Sequence, residues 1–296
     1  MTRNSFKLQD GPESFDDQWN RRQTIIIGDR RIEIADIAPK KEITRIPVLI
    51  GLGWLETPDI LKQNILGLME HGRRVICPNT PHGIKIQSDI SKNRGEYPAV
   101  ELMKMAALIY TLKSLNIDKV DVVSHSEGAI FSVMAAYLYP EKVRNMVLVN
   151  PAGMIGKDNL PRLMLGFSSD IIMHIIDEIH GIIKTADSEF RNHSLTALAH
   201  TRILSENPLQ DIRSVFAIAN SDIHSMISSL REKGVRVSVV LSTTDLVFPE
   251  KRIERIITNE KLDGTYIVEG SHNSYYLNPS EYNSTVNKAL DAMEIM

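Results

Sequence analysis

Val122-Val123-Ser124-His125-Ser126-Glu127-Gly128-Ala129 is the stretch on which the reading of this chain turns. An apolar run of strand character breaks at a small-x-Ser-x-Gly turn and continues as a helix-like segment. A strand that reverses directly into a helix brings the two backbones close, so the positions two before and two after the bend must be small. Ser124 and Gly128 meet that need. The bend would lift Ser126 clear of a sheet, and the new helix would aim its free N–H groups at whatever reacts there. Ser126 is therefore a candidate nucleophile. The motif alone also fits an ordinary strand-to-helix loop, so its partners decide.

Outward from the turn, strands and helices alternate. Upstream, Thr24 to Ile27 and Arg31 to Ile37 read as a hairpin across Gly28-Asp29. Ile46 to Ile50 is a nearly continuous apolar run, as in a strand buried on both faces. Thr57-Pro58 supplies a helix start leading to Leu61 through Met69, and Arg74 to Cys77 makes the next strand. Between Tyr97 and Leu115, Val100, Met103, Ala107, Tyr110 and Leu115 fall at mostly helical spacing. Val120 to Val123 is the strand before the turn, Ala129 to Tyr139 the helix after it, and Met146 to Val149 another buried strand.

From Ala152 to Ile212 the rhythm stops, and helical patterns appear without a strand. The clearest puts Ile171, Ile172, Ile175, Ile176, Ile179, Ile182 and Ile183 on one wide face, opposite Asp170, Asp177 and Lys184. Alternation resumes with a helix from Asp222 to Glu232, a strand from Val235 to Leu241, a helix around Arg252 to Ile257, a strand from Thr265 to Val268 and a closing helix from Pro279. The expected architecture is a mostly parallel, eight-stranded sheet flanked by helices, with a helical insertion. The core spans 1–153 and 213–296, and the insertion 154–212.

A serine hydroxyl is a poor nucleophile at neutral pH unless a base takes its proton and an acid orients that base. In open parallel sheets reactive groups collect past the carboxyl ends of the strands. Asp245 follows one such strand in SVVLSTTDLVFP, and His272 follows the last in YIVEGSHNSYYLNP. Alone, Asp245 would pass for a turn residue and His272 for a loop histidine. Their chain order, Ser126, Asp245, His272, fits a serine turn that precedes its partners. A rival acid position after Met146 to Val149 holds Asn150, which cannot serve.

These segments together resemble the α/β-hydrolase superfamily, from about Thr24 to Met296. GLGWLETP resembles the family's loop after the third strand, with Leu52 where a histidine is usual and Gly53 and Trp54 matching. CPNTPHG resembles a Pro-Asp-x-Pro-Gly segment, with Asn79 for the acid and His82 for the glycine. DLVFP matches an acid with a proline four residues on, and GSHNSYYLNPSEY matches the family's histidine with a downstream Pro-x-Glu. The resemblance implies that Ser126 attacks a carbonyl, His272 relays the proton and Asp245 holds the imidazole. It also implies that the backbone N–H groups of Trp54 and Glu127 receive the oxyanion, with no metal or cofactor. Serine at 126 argues against the aspartate-dependent dehalogenases and epoxide hydrolases of the fold. The implied reaction is cleavage of a small or medium acyl substrate (ester, lactone or thioester) under a helical cap. Alternatives are carbon–carbon bond hydrolysis and a low-activity ligand-binding member.

Composition bounds the rest. At 296 residues, 43% hydrophobic, with a net charge of −3 and scattered basic pairs, the chain has the makings of a globular core and no basic stripe for nucleic acid. The single cysteine, Cys77, allows no intramolecular disulfide or multi-thiolate metal site. Met1 to Gln23 offers neither a secretory signal nor a membrane span, so the expectation is a cytoplasmic protein acting on a small molecule. GLGWLE imitates a dinucleotide-binding loop, but Glu56 stands at the third glycine and only Asn79 follows the next strand. His174 and His180, six apart on a helix, do not converge, and His193 and His200 could share a face but have no adjacent carboxylate to complete a metal set. The resemblance also implies that His125 packs beside the serine without acting as a base.

Overall fold

The computed structural model describes residues 13–27, 30–79, 97–170, 208–257 and 262–295. Gly28-Asp29, His82, the isoleucine stripe beyond residue 170, and His174, His180, His193 and His200 lie outside them. Strands β1 (Gln23–Ile27), β2 (Arg30–Ile37), β3 (Val48–Gly51), β4 (Val75–Pro78), β5 (Val120–His125), β6 (Val143–Val149), β7 (Arg236–Ser242) and β8 (Gly264–Val268) form one sheet. Their spatial order is β1-β2-β4-β3-β5-β6-β7-β8. The β1/β2 and β2/β4 pairs are antiparallel and all others parallel. This is the mostly parallel eight-stranded sheet expected from the alternating pattern.

Strand residues alternate between two apolar layers, as the period of two requires. Val122, Met146, Leu148, Val237 and Val239 face one cluster, with helices α3 (Ala99–Ser114), α4 (Gly128–Leu138) and α7 (His224–Glu232). Val123, Val147, Val149 and Val240 face the other, with α2 (Lys62–Glu70) and α10 (Pro279–Ile295). Cys77 lies fully buried in the second layer, where burial raises its thiol pKa well above the ordinary value. It is an apolar filler. Four further helices are α1 (Phe15–Asn20), α6 (Pro208–Asn220), α8 (Glu250–Ile257) and the short α9 (Ser274–Leu277). Another, α5, covers 160–170. No helix among the described residues is long and apolar enough to cross a membrane.

Three local readings change. The helix expected to start at Thr57-Pro58 begins at Lys62, because the Ile60 and Leu61 N–H groups both donate to the Thr57 carbonyl and close a separate turn first. Helix α1 was hidden in a polar N-terminal stretch; Ser14 and Asp17 cap each other across its first turn. The apolar stripe read on α3 is too narrow. Glu101, Lys104 and Thr111 are buried along with its apolar residues, while Met103 and Tyr110 are only half-buried.

Candidate active site

Ser126 occupies the bend between β5 and α4 with φ of 51°, a left-handed backbone that a non-glycine residue rarely adopts. Such strain costs on the order of 1–3 kcal/mol and needs surrounding structure to hold it. Three backbone hydrogen bonds do so. The Ser126 N–H donates to Val149 O at 3.0 Å, and the Ser126 carbonyl accepts from Ala129 N–H and Ala152 N–H, both at 3.1 Å. The small flanking residues serve the close approach foreseen for them. A Cβ added at Gly128 would lie 2.2 Å from the Gly51 carbonyl oxygen, so helix α4 rests on the backbone of β3. Ser124 is accommodated because its hydroxyl donates to Ser132 Oγ at 2.8 Å, directly opposite Gly51.

The structure brings Ser126, His272 and Asp245 together from three separate loops. His272 Nε2 lies 3.0 Å from Ser126 Oγ, and Nδ1 lies 2.8 Å from Asp245 Oδ2. The other carboxylate oxygen of Asp245 accepts the Val247 and Phe248 N–H groups at 2.7 and 2.8 Å. An ionised carboxylate beside Nδ1 fixes the tautomer with the proton on Nδ1 and leaves the Nε2 lone pair facing the hydroxyl. All three side chains are buried. Burial alone would lower the His272 pKa, but the charge and hydrogen bond of Asp245, with Asp170 and Glu56 further off, more than offset it and raise the imidazole above its ordinary 6.5.

Around these three stands a network that the sequence did not disclose. Glu56 is buried; one of its oxygens accepts the Gly53 N–H and the other meets His125 Nδ1. A Cβ at Gly53 would lie 2.8 Å from that carboxylate, which accounts for glycine there. His125 Nε2 donates to the His272 carbonyl at 3.0 Å, and Asn150 Nδ2 donates to the same oxygen at 3.1 Å. His125 packs 4.9 Å from the rings of both His272 and Tyr275. So Glu56 and His125 tie the 53–54 loop to the backbone of His272, and Asn150, useless as an acid, holds it from β6.

Helix α5 also reaches the site. Asp170 Oδ1 accepts the His272 N–H at 3.1 Å and the residue is wholly buried, although the isoleucine pattern placed it on the polar face. Phe167 packs 5.2 Å from Trp54 and 5.9 Å from His272, ring centre to ring centre. Two acidic side chains were readable as polar helix or loop positions; only the tertiary structure makes them partners of the histidine and its neighbour. Among the described residues no group of three His, Cys, Asp or Glu side chains is placed to hold a metal ion.

This sheet order, the strained serine turn and the two partners past β7 and β8 define the α/β-hydrolase fold. The family model described as the alpha/beta hydrolase fold matches residues 47–169. The chain is similar to an enol-lactonase from Burkholderia xenovorans LB400, with a TM-score of 0.64 and 15% identity over 91% of this chain and 100% of that one. It is similar to a thermophilic esterase from Thermogutta terrifontis, with a TM-score of 0.62 and 17% identity over 92% and 99% of the two chains. A bromoperoxidase from Bacillus anthracis aligns with a TM-score of 0.65 and 16% identity over 91% and 99%. A comparison with curated protein sequences finds no match. The chain therefore has the α/β-hydrolase fold.

Proposed function

We propose that this protein is a serine hydrolase that cleaves a small or medium acyl substrate, an ester, lactone or thioester, through an acyl-enzyme. The observation that carries this reading is the buried relay from Asp245 Oδ2 through His272 to Ser126 Oγ, with steps of 2.8 and 3.0 Å. Ser126 attacks the carbonyl as His272 Nε2 takes its proton, and Asp245 stabilises the imidazolium that results. His272 then delivers the proton to the leaving oxygen or sulfur. In the second half the same imidazole takes a proton from water, which attacks the acyl-enzyme and frees the acid.

The negative charge that forms on the carbonyl oxygen is received by the backbone N–H groups of Glu127 and Trp54. Glu127 precedes the first residue of α4, so its peptide adds the field of a helix N-terminus. Each such donor lowers the barrier by about 3 kcal/mol. A cap is proposed for residues 154–212, of which 171–207 lie outside the described residues; it is supported by α5, whose Phe167 packs against Trp54 and His272. Trp54, Phe167 and Phe248, which packs 5.3 Å from His272, supply apolar walls suited to the acyl chain. The lactonase and esterase among the structural neighbours favour oxygen esters over carbon–carbon bonds.

A panel of p-nitrophenyl esters, lactones and acyl-CoA thioesters measured across pH tests this. Turnover of at least one class is expected. Because His272 must be neutral to accept the serine proton and its pKa is raised, kcat/KM should rise with pH through a midpoint above the ordinary 6.5. No turnover of any class, or a rate independent of pH from about 5 to 9, would overturn the proposal.

A further inference from the structure

The side chain of Glu127 is buried beside the proposed nucleophile and makes no cap bond on its own helix. It pairs instead with Lys104 of α3, whose side chain is 5% exposed against 1% for Glu127. Lys104 Nζ also donates to Ser214 Oγ of α6 at 3.1 Å. Glu101, one helical turn before Lys104, is wholly buried as well. Burial drives the Glu101 carboxyl well above the ordinary carboxylate range, and the charge of Glu127 pushes the same way against Lys104. Glu127 and Lys104 form a buried ion pair. Taking such a pair out of water gives no dependable gain in stability over apolar packing of the same volume. Its place, one residue from Ser126, gives it a use in the reaction proposed above.

We infer that Lys104 is a positioning residue for the oxyanion site: held between Glu127 and Ser214, it fixes the Glu127 peptide. The contact with Ser214 also fastens α6, the helix by which the chain returns to the core, to the nucleophile turn. The inference rests on the hydrolase reading, since the oxyanion exists only if Ser126 attacks a carbonyl.

The test compares wild type with Lys104→Met, Lys104→Arg and the double variant Lys104→Met/Glu127→Gln. It measures acylation by p-nitrophenyl acetate and inhibition by phenylboronic acid, which forms a tetrahedral anion on a serine. Lys104→Met should slow acylation by roughly 10- to 100-fold, less than outright loss of an oxyanion donor. Boronate affinity should fall in parallel while KM stays within about 3-fold, the pattern of an interaction made only in the transition state. Lys104→Arg should recover most of the rate. Acylation by Lys104→Met within about 3-fold of wild type, or a change in KM alone, would overturn the inference. If Lys104→Met does not fold because a buried charge is left unpaired, the double variant removes that charge. Slow acylation at unchanged KM there supports the inference, and wild-type acylation refutes it. Wild-type protein that fails to acylate at all overturns the hydrolase reading and this inference with it.

Discussion

Replacing His272 with alanine should lower kcat/KM by about 10⁵- to 10⁶-fold, the size of effect seen when one member of a serine relay is removed. The imidazole is the single group in contact with both Ser126 Oγ and Asp245 Oδ2 among the hydrogen bonds of the site. Without it the hydroxyl has no base, and the leaving group has no acid. Ser126→Ala should cost a similar factor. The double variant should be hardly worse than either single one, because the residues act as a unit. The protein should remain folded: Asp245 keeps its Val247 and Phe248 N–H partners, and the His272 N–H and carbonyl keep theirs on Asp170, His125 and Asn150. Steady-state kinetics with the best ester, alongside a thermal melt, checks both halves. A His272→Ala enzyme within about tenfold of wild type would mean that another base serves Ser126.

Gly128→Ala is expected to have the largest structural effect of any single methyl group added near the turn. The new Cβ would lie 2.2 Å from the Gly51 oxygen, 2.6 Å from its carbonyl carbon and 3.0 Å from the Leu52 oxygen. All three are backbone atoms, so no side chain can swing aside. Either α4 lifts from β3 or the strand bends, at a cost of about 3 kcal/mol, the upper range for overpacking. A drop in Tm of roughly 6–10 °C should follow for a chain of this size. Because the Gly51 to Trp54 loop and the Glu127 peptide move apart in the process, kcat should fall further than the loss of folded protein explains. An alanine variant with wild-type melting and wild-type kcat would show that the close contact between α4 and β3 is not needed.

The fold was legible because its signals are local. Apolar runs such as Val122-Val123 and Met146 to Val149 mark strands buried on both faces, and the Ser124 and Gly128 pair marks the crowded turn. Ser126, Asp245 and His272 were legible for a related reason: each stands just past a strand at the end of the sheet where loops converge. Glu56, Asn150 and Asp170 were not. Each meets its partner across a long stretch of chain, through loop paths that periodicity does not encode. Glu101 and Lys104 misled for the opposite reason. Their charge reads as solvent-facing, yet on α3 they are buried because α4 and α6 pack against it and supply Glu127 and Ser214.

The central claim is that Ser126 is the activated nucleophile. It is tested most directly by treating the folded protein with a fluorophosphonate and locating the adduct by mass spectrometry. One adduct is expected, on Ser126, absent from Ser126→Ala and strongly slowed in His272→Ala. An adduct on another residue, or labelling of Ser126 at the same rate with His272 replaced, would contradict it.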